Sequence, residues 1–312
     1  MMGLMEQDIA VTVIGGYLGS GKTTLINHVL RTADERVAVL VNDFGSINID
    51  ADLIESQDGD TIALSNGCIC CSLVDGFAAA LATVRDLDPS PRRLLIEASG
   101  VADPATVAAY GHGPGLMLDA VVVMVDAETI RNRATDKYVG DTVLRQLASG
   151  DLLVINKVDL VGADKADSVR QWLAARCPDA ALLETTQSQV PIEVLFGVQH
   201  KERDGIESGS ENTDASGQSH ADQVFQTWTW TTDQLVERTK IEQLMAELPD
   251  DVVRAKGVVV LAQDPQRATV VQRVGKRWTI HPSRTNGPPA SSHLVFIGMP
   301  DSISDRWLNS RL

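Results

Sequence analysis

Gly16-Tyr17-Leu18-Gly19-Ser20-Gly21-Lys22-Thr23 has the spacing G-x-x-x-x-G-K-S/T. Glycines in such a loop let backbone N–H groups wrap a chain of phosphates with no Cβ in the way. A helix opening at Thr23 adds the positive end of its dipole. Lys22 then falls where it reaches the β- and γ-phosphates, and the Thr23 hydroxyl where it ligates Mg²⁺. Gly16, Gly19, Ser20, Gly21, Lys22, Thr23 and Thr24 are therefore the expected phosphate-binding residues.

Two further segments suit the same chemistry. Asn156-Lys157-Val158-Asp159 resembles the N-K-x-D motif with which GTPases select guanine. Asp159 would accept from guanine N1–H and N2–H₂; adenine lacks that donor pair, so the carboxylate would go unpaired. This argues against an ATPase or small-molecule kinase. Glu97-Ala98-Ser99-Gly100 stands where GTPases carry D-x-x-G, whose Asp holds Mg²⁺ and whose Gly N–H senses the γ-phosphate. Here Glu97 replaces the Asp, its longer arm reaching the ion through a bound water. Lys22, Thr23 and Glu97 are the expected catalytic set.

A different chemistry is written in Gly67-Cys68-Ile69-Cys70-Cys71. Thiolates bind borderline and soft metals tightly. Thiols this crowded bridge one another only with strain. Small buried hydrophobes would serve as well in a reduced interior, but the density behind a glycine favours metal ligation by Cys68, Cys70 and Cys71. Zn²⁺, Co²⁺ and Cu⁺ all suit such a set. Cys177, isolated before Pro178, reads as structural.

These residues must be held by something. Ile9–Ile14, Val37–Val41, Leu94–Ile96, Ala120–Val125 and Leu152–Ile155 are near-continuous apolar runs of the kind found in parallel strands buried on both faces. Between them lie helical patterns at Thr23–Arg31, Leu73–Leu87, Pro104–Tyr110, Thr142–Ala148 and Lys165–Arg176. The alternation predicts a doubly wound α/β domain with its ligand beyond the carboxyl ends of the strands. Residues Gln199–Asp222 hold a single aliphatic side chain, Ile206, and no aromatic; so polar a segment predicts a flexible linker. Beyond it, strands at Val224–Thr231, Val252–Leu261, Thr269–Arg273, Arg277–His281 and His293–Ile297, with a helix at Asp233–Leu248, predict a smaller α+β domain. The expected organisation is residues 1–198, a linker at 199–222, and 223–312.

The formal net charge of −15 repels nucleic acid, so a DNA- or RNA-binding role is not expected. No apolar run reaches the roughly 18 residues that span a bilayer, and the first residues lack a signal-peptide pattern. The expected location is the cytoplasm, with no membrane partner.

The chain resembles the CobW-type metallochaperone GTPases, relatives of the GTPases that insert nickel into urease and hydrogenase. The resemblance runs over nearly its whole length: GGYLGSGKTTLINHVL, VNDFGSINID, NGCICC, EASGVADP and LASGDLLVINKVDL, then VVRAKGVVVL, VGKRWTI and LVFIG. It implies slow GTP hydrolysis, with GTP and Mg²⁺ on Gly16, Gly19 to Thr24, Glu97, Gly100, Asn156, Lys157 and Asp159. It also implies a switch at Asn42–Asp50 and delivery of zinc, or cobalt, from the C-x-C-C cysteines to a client metalloprotein. A homodimer is compatible with this reading. A GTP-gated metal sensor or scaffold is the alternative. The sequence departs from the family at Asp43, where Glu is usual, at Ser46, where an acid often stands, and in a histidine-rich stretch reduced to His200 and His220. His112, in a Gly-rich loop, is a further candidate ligand, though a solvated loop histidine explains it as well.

Overall fold

The computed structural model describes residues 8–43, 61–65, 80–197, 225–283 and 291–312. Seven strands form one parallel sheet: β1 (Ile9–Gly15), β2 (Val37–Asp43), β3 (Thr61–Ser65), β4 (Arg93–Glu97), β5 (Leu116–Asp126), β6 (Leu152–Asn156) and β7 (Ala181–Glu184), in the order β3-β2-β4-β1-β5-β6-β7. Every residue of β1, β4 and β6 is buried, as strands covered on both faces must be. Val11, Val13, Leu94 and Ile96 pack on one face with Val107, Val143 and Leu147 from the helices Pro104–Ala108 and Gly140–Ala148. Ile14, Leu95, Val122 and Met124 pack on the other with Leu25, Ile26 and Val29 of α1 (Lys22–Thr32). This is the doubly wound fold that the alternation of elements predicts.

Three local differences have physical causes. Strand β5 starts at Leu116 rather than Ala120, because a bulge at Asp119 interrupts the apolar run without ending the pairing with β1. Strand β7 was not expected: Ala181–Glu184 is short, and nothing in its composition marks it. The helix expected from Asp233 starts at Arg238. Val236 is extended there, its N–H bonded to Val260 O at 3.0 Å and its carbonyl to Ala262 N–H at 2.8 Å, so a β-bridge takes the groups a helix would need. Of the helix expected at Leu73–Leu87, residues 80–85 are helical and 73–79 lie outside the described residues. Residues 44–60, 66–79 and 198–224, with Ser46, Cys68, Cys70, Cys71 and the expected linker, also lie outside them.

A second sheet is antiparallel: β8 (Gln226–Thr232), β9 (Val252–Val260), β10 (Ala268–Val274), β11 (Arg277–Pro282) and β12 (Ser292–Gly298), in the order β11-β10-β9-β12-β8. One face packs Trp228, Trp230 and Phe296 against Ile241 and Leu244 of the helix Arg238–Glu247, and against Leu308. The other face meets the first domain at the end of the parallel sheet away from the glycine loop.

That joint is ionic and largely buried. Asp119, placed by the bulge, is 1% exposed, and Arg254 of β9 is likewise 1% exposed. Arg254 donates to Asp119 Oδ2 at 2.5 Å and to Leu195 O at 2.9 Å. Lys256 donates to Asp119 Oδ1 at 3.2 Å, and Arg93 lies 3.5 Å from Oδ2. Burial alone would push the Asp119 carboxyl up; the charges of Arg254, Lys256 and Arg93 outweigh it and hold the group well below the usual carboxylate range. Nearby, Arg277 grips Asp151 with a fork of 2.5 and 2.6 Å contacts, and Gln272 donates to Leu118 O at 3.0 Å. Apolar contact continues across the joint, since Val253, Val274 and Ile297 join the core that contains α1.

Candidate functional site

Five strand ends converge opposite that joint. The loop after β1 is wound by glycines at positive φ: Gly16 at 126°, Gly19 at 77° and Gly21 at 109°. At Gly21 the space is also closed, because a Cβ would lie 2.4 Å from Asn156 Nδ2 and 2.5 Å from Ser188 Oγ. At Gly19 a Cβ would meet no atom within 4 Å. The loop thus has its back against the protein and opens a concave backbone outward. Ser20 Oγ is buried and has no hydrogen-bond partner among the described residues. Lys22 is 6% exposed and opens α1, whose N-cap Gly21 uses no side-chain cap. A helix start of this kind beside a glycine loop suits an anion.

Thr23 Oγ1 donates to Glu97 Oε1 at 3.2 Å, although 74 positions separate the residues in sequence. Glu97 ends β4 and is 2% exposed. A hydroxyl and a carboxylate brought together beside a phosphate cradle form the oxygen donor set that suits Mg²⁺. The residues present fit the ion. Thr24 is exposed, one position further along α1.

The Asn156-Lys157-Val158-Asp159 segment ends β6 and braces the loop. Asn156 Nδ2 donates to Ser20 O and to Ser188 Oγ, both at 2.9 Å, and Asn156 Oδ1 accepts from Ser188 N at 2.9 Å. Ser188 Oγ donates to Gly21 O at 3.0 Å. Lys157, at φ 64°, donates to Gly19 O at 2.8 Å and to Asp126 Oδ2 at 2.7 Å. Both side chains are thus committed to the glycine loop, while the Asp159 carboxylate is exposed at the rim. Gly100, buried after β4, lies against the same loop, where a Cβ would stand 2.9 Å from Leu18 N.

Sequence reasoning missed three contributors. Asp126 closes β5 and anchors Lys157; an acid ending the run AVVVMV was its only signal. The turn at 185–189, with Gln187 and Ser188 at φ 50° and 57°, locks Asn156; the polar cluster Thr185-Thr186-Gln187-Ser188-Gln189 after an apolar run marks it. Gln146 holds the segment after Glu97, and a helical glutamine gives no such sign. His112 ends a 3-10 turn and is exposed. Among the described residues no cluster of His, Cys, Asp and Glu is arranged to hold a metal ion, and no helix is long and apolar enough to cross a membrane. Cys177 is a buried free thiol whose pKa burial pushes up.

The parallel sheet, the glycine loop and the Thr23–Glu97 pair define a P-loop nucleotide-binding protein. The model of the CobW/HypB/UreG nucleotide-binding domain matches residues 10–184, and that of the cobalamin synthesis protein cobW C-terminal domain matches residues 225–312. The chain belongs to the CobW/HypB/UreG family. It is 28% identical over 331 residues to the zinc chaperone CobW of a Sinorhizobium species, covering 94% of this chain and 93% of that one. It is 28% identical over 305 residues to the zinc chaperone YjiA of Escherichia coli, covering 93% and 94%. The solved Zn(II)-bound YjiA GTPase is 24% identical, with a TM-score of 0.46 over 94% of this chain and 95% of that chain.

Proposed function

We propose that this protein is a Mg²⁺-dependent GTPase that couples hydrolysis to delivery of a transition metal, zinc before cobalt, to a client metalloprotein. The observation that carries the reading is the Thr23–Glu97 contact beside the glycine loop, since it joins an ion-binding pair to a phosphate cradle. In this reading the N–H groups of Gly19 to Thr24 and the Lys22 ammonium bind the phosphates. Thr23, and Glu97 through water, would hold Mg²⁺, which when bound would supply positive charge to offset charge developing between the β- and γ-phosphates. Gly100 faces the γ-phosphate. Asn156 and Lys157 act mainly by fixing the loop, and Asp159 reads guanine. Catalysis is then positional and electrostatic, which suits a slow intrinsic rate. The metal half rests on the cysteine motif and on the likeness to zinc chaperones; Cys68, Cys70 and Cys71 are its ligands in this reading.

The test is a calorimetric titration of the full chain with GTP, GDP and ATP, in wild type and Lys22→Ala. Wild type is expected to prefer GTP to ATP, and Lys22→Ala to lose on the order of 2–4 kcal/mol of GTP binding. Unchanged affinity in the variant would refute the phosphate assignment. Zinc titration with a GTP analogue and with GDP tests the second half: at least about tenfold tighter binding in the analogue state is expected. Equal affinities would leave a constitutive metal site and no delivery step.

A further inference from the structure

We infer that Gln146 is a positioning residue that sets the γ-phosphate-facing turn and through it the discrimination between GTP and GDP; this rests on the GTP reading above. Gln146 lies on the helix Gly140–Ala148 and is 1% exposed. Its amide Nε2 donates to Gly100 O at 3.0 Å and to Ala102 O at 2.8 Å. Its Oε1 is buried with no hydrogen-bond partner among the described residues. A buried amide is costly unless bonded. Here only the donor half is satisfied, and both its bonds go to one turn.

Among the described residues that turn is held elsewhere at its ends and by one internal bond, Ala102 N–H to Ser99 O at 2.9 Å. Ala98 N–H bonds to Ile14 O at 2.9 Å, tying its start to β1. Asp103 Oδ1 accepts from Ala105 N at 2.9 Å, tying its finish to the helix Pro104–Ala108. Between these anchors, Gln146 holds the carbonyls of Gly100 and Ala102. Gly100 also has no room to drift toward the glycine loop, since a Cβ there would stand 2.5 Å from Leu18 Cδ2. The peptide unit before Gly100 is set by the bond from Ala102 N–H to Ser99 O, and the one after it by the Gln146 amide, with Leu18 against Gly100 itself. A group that fixes Gly100 O also orients the peptide plane that Gly100 shares with Val101. Val101 itself is exposed. The helix of Gln146 ends at Ala148, capped at Ser149, whose Oγ donates to Gln146 O at 2.7 Å, and the chain then turns into β6 and the Asn156–Asp159 segment. Gln146 thus joins the turn that meets the third phosphate to the strand that meets the base.

The experiment uses the full chain with Gln146→Met, which keeps length without a donor, and Gln146→Glu, which keeps shape with acceptors alone. Affinities for a non-hydrolysable GTP analogue and for GDP are measured with Mg²⁺, alongside thermal unfolding. Both variants are expected to lose about tenfold in analogue affinity, the equivalent of about 1.4 kcal/mol, while GDP affinity stays within about twofold. A strut that merely stabilises the fold would lower the melting temperature and leave the ratio of the two affinities untouched; that result, or no change at all, overturns the inference. Should neither variant fold, hydrogen exchange at residues 99–103 of the wild type decides. Different protection in the analogue and GDP states is expected, and identical protection overturns the inference. Failure of the GTP reading itself shows separately, as unchanged nucleotide affinity in Lys22→Ala.

Discussion

Replacing Asp119 by Ala removes the carboxylate that pairs with Arg254, Lys256 and Arg93 at the joint, and among the described residues leaves Arg93 only its Glu35 ion-pair partner. The cations remain where they are, with Arg93 and Arg254 buried. Breaking a buried pair by removing one partner costs about 3–5 kcal/mol, because the other charge is left uncompensated. A domain is stable by about 5–15 kcal/mol, so the loss is about a fifth of the total or more. The pH dependence has a definite sign. The folded pKa of Asp119 is depressed, whereas an unfolded Asp titrates at about 3.9. Its contribution is therefore complete above about pH 4 and is lost as pH falls through the depressed folded pKa. Urea unfolding across pH is the assay. The gap between wild type and Asp119→Ala should be flat from about pH 5 to 8 and close below about pH 4. Adding Arg254→Met to the variant should cost less than it does in wild type, with a coupling of at least about 1 kcal/mol. A loss below about 1 kcal/mol, or additive losses, would refute the view that this network fastens the domains.

Other substitutions test the nucleotide end. Gly21→Ala should abolish nucleotide binding by any equilibrium assay, because the new Cβ meets Asn156 and Ser188 while φ stays at 109°; strain there is on the order of 1–3 kcal/mol. Asn156→Ala should destabilise the chain by about 1–3 kcal/mol and weaken GTP and GDP alike, since it leaves Ser20 O and the Ser188 N–H without their partner; a loss confined to GTP would contradict its role as a brace. Asp159→Asn should shift preference from GTP toward XTP in competition binding, because xanthine offers a carbonyl where guanine has an amino group; retained GTP preference places base selection elsewhere. If residues 199–222 link two domains, limited proteolysis should cut there first and release fragments divided near residue 200; first cleavage within 10–194 would undo that boundary.

The parallel sheet was legible because strands buried on both faces must be apolar throughout, and the chain writes that at Ile9–Ile14 and Leu152–Ile155. The glycine loop was legible because its backbone angles exclude most residues. The partner of Asp119 was not: Arg254 lies 135 positions away, and a lone Asp in a strand reads as an interruption. What the sequence shows of Asn156 and Lys157 is their type. Their placement shows that they hold the loop, which needed the 185–189 turn and Asp126 to be brought alongside. Gln146 was invisible for a related reason, since helix periodicity assigns a buried position to its side chain and says nothing of the carbonyls that it meets.

Strand β5 is fastened at both extremities. Asp119 near its start is gripped by Arg254 of the second domain, and Asp126 at its end grips Lys157, which in turn holds Gly19 O. The seven steps between them span about 23 Å at ~3.3 Å per residue. A strand pinned in this way cannot slide along its neighbours without pulling apart an ion pair at one end. The sheet and the second domain then behave as a stator. In the delivery reading proposed above, a client that senses the nucleotide would therefore touch the rim where the strands end. One that gripped the second sheet instead would gain a fixed handhold, and no news of the nucleotide.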